Sequence, residues 1–370
     1  MHKAHLKYRK TKLLNLGNPL DSPINNKYDF FIIIPAYNEK RYLFQTLSSI
    51  DHQVNCYKLL VIVVINNSNR DHRTVKKNNQ ETNDLLSKMK YSFELIVIDC
   101  FSKNFEIDSD IAGVGLARKI GMDYCLEYSN PSSLLCCLDA DTIISPNYLK
   151  IINDYFILNK SSAALVGFKH QNSEDLKLND AIKSYEYILK YNAQKIKQAG
   201  SPYGYVSMGS TMVCTVNAYV IVGGMSIKQA TEDFYFLQRL AKYTKINLIP
   251  DILVHPSARA EQRVYLGTGF RMKNFKSDIT FNNLQISQQA VEVLSRIYQI
   301  FDEYIESSIE EIENILKQVN IKLWNFFNKN NFIIIFVKIK QNSKTKNQLI
   351  KQFNKWFDNL KIHQLCKEFR

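Results

Sequence analysis

Residues 134–145 read LLCCLDADTIIS, and an apolar run stops there at two aspartates, Asp139 and Asp141, set one residue apart. A short, continuous apolar run without alternation is what a strand buried on both faces looks like. Three runs upstream have the same form: DFFIIIP from Asp29, KLLVIVVI from Lys58 and FELIVID from Phe93. Helical stretches lie among them. Leu43, Leu47 and Ile50 recur at helical spacing after Asn38, a candidate cap, and GVGLARKIGMDYCLEY places a Gly-rich turn before a helix with Leu116, Ile120 and Tyr124 on one side. Strands alternating with helices imply right-handed crossovers and a mainly parallel sheet, so the fold class is α/β. In such sheets ligands bind at the carboxyl ends of the strands, where Pro35, Asn66, Asp99 and Asp139 stand. These ends are expected to converge on one crevice.

Beyond Pro146 a helix, NYLKIINDYFILN, precedes AALVGFKHQ and a long amphipathic stretch from Asp180 to Gln198. GSTMVCTVNAYVIVGG reads as a strand or strand pair broken at Gly223 and Gly224. Thr231 is a candidate cap for a helix bearing Phe234, Leu237 and Leu240, KINLIP is a strand, and HPSARAEQRVYLGTGF is a polar, Gly-containing segment. Composition changes near Asn274. Apolar residues then step by three or four from Leu294 through Val319, the mark of one long amphipathic helix over 286–319, and the remainder from Asn320 is basic and helical in pattern. The expected organisation is a basic N-terminal extension over 1–28, an α/β domain over 29–275 and a helical region over 276–370. The stripe after Leu294 reads as a core or homodimer seam, and its basic successor as a solvated face or a peripheral contact with an anionic membrane.

No segment approaches the roughly 18 consecutive apolar residues of a spanning helix, so LLVIVVI and NFIIIFVKIK read as buried elements. The basic N-terminus lacks the apolar core of a signal peptide, and the seven cysteines include no CxxC, a pattern of reduced thiols in a cytoplasmic setting. Lys and Arg number 48 against 35 Asp and Glu, and the resulting +13 points to an acidic partner: nucleic acid, an anionic surface or a phosphorylated substrate. Basic and aromatic residues are interleaved only in the C-terminal tail, so nucleic acid is not expected.

Asp-x-Asp alone says little, since Asp108 and Asp110 repeat the spacing after the short, charged KNFEI. Asp139 and Asp141 differ in following a buried strand. The structural reading of that pair is a strand-ending turn. The chemical reading is a pair of hard oxygen ligands for Mg2+ or Mn2+, which in turn bridge to substrate phosphates. Asn66 and Asn67 could read a base edge and Arg118 could neutralise phosphate, while Arg259 and Arg263, with Gly267 and Gly269 after them, could clamp a diphosphate.

In that order and at those separations, IIIPAYNE, VVINNS, GLARKIGMD, CLDADTIISPNYL, GGM and TEDFYFLQRL resemble nucleotide-sugar-dependent glycosyltransferase family 2, over roughly residues 30–270. The resemblance implies a GT-A fold. It implies that Pro35, Ala36, Tyr37 and Glu39 contact the nucleotide, that Asn66 contacts the base, and that Asp139 and Asp141 meet the ribose and the metal of the diphosphate. Glu232 and Asp233 match the pair that supplies the base for the acceptor hydroxyl, and His255 the third metal ligand of related enzymes. Two positions depart from the family's pattern: Asn66 and Asn67 stand where many members carry Asp-Asp, and Lys119 follows Arg118 where many carry Asn. An amide can still pair with uracil, so a UDP-sugar is the favoured donor. The Gln-x-x-Arg-Trp of processive synthases is missing. The expectation is thus an inverting, metal-dependent, non-processive transferase acting on a glycan or lipid-linked acceptor. The competing expectations are nucleotidyl transfer to a sugar phosphate, which wants a Gly-rich basic loop where this chain reads PAYNE, and a non-catalytic nucleotide- or nucleic-acid-binding module.

Overall fold

The computed structural model describes residues 2–53, 57–261, 267–275, 281 and 283–370. The chain divides into two compact units, Met1–Ile182 with Ser207–Phe275, and Lys183–Val206 with Lys276–Arg370.

The apolar runs of the sequence are the strands of the first unit. After helix α1 (His2–Thr11) and strand β1 (Asn18–Pro19) come β2 (Tyr28–Ala36), α2 (Leu43–Asp51), β3 (Leu59–Asn66), α3 (Arg73–Leu86), β4 (Glu94–Cys100), α4 (Val114–Tyr124) and β5 (Ser129–Cys137). Every residue of β3 is buried, as a central parallel strand requires, and each such Val, Leu or Ile contributes roughly 1.5–3 kcal/mol by leaving water. Then follow β6 (Ile143–Ile144), α5 (Tyr148–Leu158), β7 (Ala163–Phe168), α6 (Leu176–Gln198), β8 (Met212–Thr215), α7 (Val216–Ile221), α8 (Glu232–Tyr243), β9 (Asn247–His255) and α9 (Thr268–Lys273). Among the described residues the strands form one sheet in the order β1-β4-β3-β2-β5-β8-β7-β9-β6. β2, β3, β4 and β5 are mutually parallel, β7 and β9 run in the same sense, and β1, β6 and β8 oppose them. This is the mainly parallel, helix-flanked α/β sheet that the alternating runs imply. Register places the carboxyl ends of β2, β3 and β5 side by side, with Ala36 opposite Ile65 and Ile33 opposite Cys137.

The basic N-terminal segment belongs to this unit. β1 pairs with β4, and Tyr8 of α1 is buried with its hydroxyl donating to Asp123 Oδ1 at 2.6 Å. Lys119 Nζ and the Tyr219 hydroxyl converge on the same carboxylate, at 2.8 and 2.7 Å. Gly224, at φ 74°, leaves room for the Tyr8 ring: a Cβ there would sit 2.0 Å from its hydroxyl oxygen.

Two stretches differ from their sequence reading. The second half of GSTMVCTVNAYVIVGG is the helix α7, because Thr215 Oγ1 accepts from Ala218 N at 3.1 Å and caps a helix where β-branched residues alone suggested a strand. The stripe over 286–319 is not one helix but two, α10 (Gln288–Tyr304) and α11 (Ile309–Val319), because Ser308 caps a fresh start by accepting from Glu311 N at 3.1 Å.

The second unit comprises the end of α6 with α10, α11, α12 (Ile321–Lys329), α13 (Phe332–Gln341), α14 (Lys346–Trp356) and α15 (Asn359–Glu368). Leu294, Ile297, Phe301, Ile312 and Leu316 are buried within it. Phe301 stacks on Phe353 with centroids 3.7 Å apart, and Phe327, Phe332, Phe336 and Phe357 pack around them. NFIIIFVKIK supplies α13, with Phe332, Phe336 and Ile339 inward. No helix among the described residues is long and apolar enough to cross a membrane.

Candidate active site

At the carboxyl ends of the parallel strands the first unit holds a cavity of about 500 Å3, onto which Pro35, Tyr37, Glu39, Asn66, Asp139 and Asp141 open. Ala36 is buried in β2 beside it. Asp99 does not reach the cavity lining. Its carboxylate turns back to accept from Phe101 N and Ser102 N, both at 2.9 Å, which closes the β4 turn.

The loop after β2 bends sharply at Asn38, whose φ of 59° is left-handed and whose N–H donates to Asn79 Oδ1 at 3.0 Å. Asn38 therefore shapes the loop instead of capping α2, which begins after Tyr42. Asn79 of α3 also donates to the Asn66 carbonyl at 3.0 Å and to Asn67 Oδ1 at 2.9 Å. The Asn67 amide donates to the Ser68 and Phe101 carbonyls, so that side chain is spent on the fold. Asn66 differs: it is 4% exposed, it borders the cavity, and its Oδ1 has no hydrogen-bond partner among the described residues. A buried acceptor without a donor costs about 1–3 kcal/mol, and a ligand N–H would recover it. Across the cavity mouth the Tyr37 hydroxyl donates to Asp71 Oδ1 at 3.0 Å, and Ser68 N donates to Asp71 Oδ2 at 2.6 Å.

The Asp-Ala-Asp turn is pinned by its backbone. Thr46 Oγ1 donates to the Ala140 carbonyl at 2.9 Å, and Gln171 Nε2 donates to the Asp141 carbonyl at 2.9 Å and to the His255 carbonyl at 2.6 Å. The two carboxylates then part company. Asp139 meets the guanidinium of Arg118 through Oδ1 and accepts from Ser210 Oγ at 2.5 Å through Oδ2. Asp141 Oδ2 meets Arg259 Nε at 2.8 Å. Each aspartate thus has an arginine of its own.

Arg118 projects from α4, is 2% exposed, and joins Asp139 to Glu232 through its two terminal nitrogens. It is not in the described lining of the cavity; it links the lining to the carboxylates behind it. Burial works against its charge, and Asp139 and Glu232 more than offset that, so the guanidinium stays ionised. Gly209 makes the fit possible, since a Cβ at that position would lie 2.1 Å from Arg118 Nη2. α4 approaches the segment before α8 just as closely: a Cβ on Gly115 would lie 2.5 Å from the Ser226 and Lys228 carbonyls, and one on Gly113 2.6 Å from Gln229 Cα.

Glu232 and Asp233 open α8. Thr231, ahead of them, occupies the cap position, but at φ 64° its side chain does not cap: Oγ1 donates to the Ala230 carbonyl at 2.6 Å. A left-handed β-branched residue stores roughly 1–3 kcal/mol of strain, a cost that clusters at functional sites. Asp233 Oδ1 accepts from Phe234 N at 2.7 Å. Burial raises the Glu232 carboxyl to about 7 against the pull of Arg118, with Asp233 adding to the rise. Burial raises Asp233 as well, again opposed by Arg118. Two adjacent carboxyls are thereby both raised above the ordinary carboxylate range.

Arg259 borders the cavity with both terminal nitrogens on Glu39, Nη1 at 2.9 Å from Oε2, and its guanidinium carbon lies 4.4 Å from the centre of the Tyr42 ring. Arg263 lies outside the described residues. His255 pairs across β6 with Ile143; its Nε2 faces Ser145 Oγ at 3.2 Å and its Nδ1 the Lys169 carbonyl at 3.1 Å, so both ring nitrogens are engaged away from the cavity lining. Among the described residues no three His, Cys, Asp or Glu side chains gather closely enough to hold a metal ion by themselves. The donor set that fits a hard divalent cation is Asp141 together with ligand phosphates, since Mg2+ commonly takes one or two carboxylates and completes its shell with phosphate and water. Sequence reading missed Gly209, Ser210, Asn79 and Asp71. The small pair Gly209-Ser210 ahead of an apolar strand was the one available signal.

No family model matches the chain and no curated protein sequence matches it. Among solved structures, S. aureus TarS 1–349 in complex with UDP-GlcNAc aligns with 89% of this chain and 91% of its own at 14% identity, with a TM-score of 0.47. The mannosyltransferase PcManGT from Pyrobaculum calidifontis, in complex with GDP-Man and Mn2+, aligns with 93% and 96% at 12% identity, with a TM-score of 0.44.

Proposed function

We propose that the chain is an inverting glycosyltransferase that moves a sugar from a nucleotide diphosphate to an acceptor hydroxyl. The observation that carries the reading is one chain of contacts: Asp139 at the cavity, Arg118 behind it, and the Glu232–Asp233 pair at the far end. The nucleotide lies along the ends of β2 and β3. Asn66 Oδ1 accepts from an imide N–H of the base, which favours uracil, and Tyr37 borders the ring. Asp139, held by Arg118 and Ser210, accepts from the ribose hydroxyls on this reading, and its partly exposed carboxylate at the cavity supports it.

Asp233 takes the proton of the acceptor hydroxyl as its oxygen attacks the anomeric carbon; the bond from that carbon to the diphosphate oxygen breaks, and its electron pair leaves with the nucleoside diphosphate. A carboxyl raised by burial is a stronger base for this than an ordinary one, because its ionised form has the higher proton affinity. Arg118 opposes that rise at both carboxyls and so favours their ionised forms. A divalent metal, Mn2+ or Mg2+, held by Asp141 would neutralise the charge developing on the diphosphate. The acceptor is a glycan or a lipid-linked hydroxyl, and the basic residues of α13 to α15 offer a peripheral contact with an anionic surface. A screen of nucleotide sugars for slow Mn2+-dependent hydrolysis tests the activity without a known acceptor. Release of nucleoside diphosphate from a UDP-sugar is expected, with loss in Asp233→Asn; equal turnover in that variant rejects Asp233 as the base.

A further inference from the structure

Arg259 sits where a cation is wanted. Its terminal nitrogens face both Glu39 oxygens, Nε lies 2.8 Å from Asp141 Oδ2, and Nη1 lies 3.5 Å from Glu261 Oε1. The Arg259 side chain is 12% exposed, Glu39 4% and Asp141 14%, so solvent screens this cluster weakly. Three carboxylates share one guanidinium, which leaves room for more positive charge. The Asp141 oxygen that faces Arg259 is also the hard donor that a divalent cation would take.

On the reading of Asp141 as the residue that meets the metal and diphosphate, we propose that Arg259 is an exchangeable counter-ion for it. Without nucleotide, Arg259 occupies Asp141. When nucleotide binds, the guanidinium moves onto the diphosphate and the divalent cation takes its place at Asp141. Two cations compete for one carboxylate, while a diphosphate attracts both, and a guanidinium fork suits phosphate oxygens as well as it suits a carboxylate. Metal alone therefore meets a blocked ligand, and its apparent affinity is reduced by the fraction of molecules in which Asp141 is free. Nucleotide removes the block, and by linkage metal strengthens nucleotide binding by the same factor.

The test is Mn2+ binding to the full chain, read from the electron paramagnetic resonance of free Mn2+, with and without UDP or GDP. Wild type is expected to bind Mn2+ alone weakly and to tighten by roughly tenfold or more with nucleotide, as when about a tenth of molecules have a free Asp141. Arg259→Met should bind Mn2+ alone about tenfold tighter than wild type, and the tightening that nucleotide adds, beyond the Mn2+ that the same nucleotide holds without protein, should be about tenfold smaller than in wild type. Arg259→Lys keeps the charge and loses the fork; it should fall between them, and it carries the comparison if Arg259→Met does not fold. Lys40→Met removes a cation that is paired with Glu81 and is not in the cavity lining, and it should match wild type. The proposal is overturned if neither Arg259 variant binds Mn2+ alone more tightly than wild type, if Lys40→Met tightens binding as much, or if no variant binds Mn2+. If wild type binds neither nucleotide at any Mn2+ concentration, the functional reading falls, and the Mn2+-only comparison still decides the exchange.

Discussion

Replacing Arg118 with Met removes a buried cation while keeping much of its length. Arg118 is 2% exposed and joins Glu232, at 5%, to Asp139, at 38%. Removing one partner of a buried ion pair costs about 3–5 kcal/mol, because the other charge stays in place without compensation. The Asp139 half is open to solvent and keeps its Ser210 hydrogen bond, so screening makes its share small. The Glu232 half sets the figure, and a loss of about 3 kcal/mol is expected when Glu232 is ionised. That condition makes the loss depend on pH. Burial already lifts Glu232 from 4.5 to about 7, and without Arg118 its folded value rises further. A carboxyl raised in this way holds more protons folded than unfolded, so its contribution to stability is complete below the unfolded value and is lost as pH rises through the folded one. In urea denaturation Arg118→Met should lie close to wild type near pH 4.5 and about 1.4 kcal/mol below it near pH 8, since a variant Glu232 that keeps its proton forgoes about one pH unit of the ionisation that wild type gains above its folded value. Adding Glu232→Gln should restore most of the difference at the higher pH. An equal deficit at both pH values, or one under about 0.5 kcal/mol near pH 8, would refute Arg118 as the compensating charge for a buried Glu232.

Three further outcomes follow from the same geometry. Gly209→Ala puts a methyl group 2.1 Å from Arg118 Nη2, so donor hydrolysis should fall by at least roughly tenfold, and unchanged turnover would mean the guanidinium need not stay where it is. Asn66→Ala removes an acceptor that has no partner in the fold, so thermal stability should hold or rise while nucleotide affinity drops by about tenfold in calorimetry; a loss of stability without a loss of affinity would reverse the assignment. The acid limb of kcat/KM for donor hydrolysis should lie above the ordinary carboxylate range, because burial raises both Glu232 and Asp233, and activity should rise with pH as the pair deprotonates. Glu232→Gln removes a neighbouring negative charge and should move that limb to lower pH, and a limb that does not move would exclude the pair as its source.

The central strands were legible in the sequence because burial on both faces imposes continuous apolar runs, as in β3. Where a strand stops was legible too: of the four strand ends expected at one crevice, Pro35, Asn66 and Asp139 line the cavity and Asp99 does not. Apolar residues alone could not tell α7 from a strand, since a single cap at Thr215 decides it. Nor did the stripe from Leu294 to Val319 reveal its break, because Ser308 and Glu311 interrupt the chain direction without interrupting the apolar spacing. Partnerships across the chain were the least visible. Arg118 meets Glu232 across 114 positions and Arg259 meets Glu39 across 220, and both arginines had been assigned to phosphate when the fold first sets them on carboxylates. Local spacing carries no information about such pairs; the topology of the sheet creates them.

The most direct measurement is a calorimetric titration of UDP into the full chain with Mn2+, set beside Asp141→Asn and the same titration in chelator. Binding in the wild type that depends on Mn2+ and is lost in Asp141→Asn is the predicted result. Nucleotide binding that is equally tight in wild type, in Asp141→Asn and in chelator would contradict the assignment of Asp141, and binding in none of them would contradict the cavity as a nucleotide site.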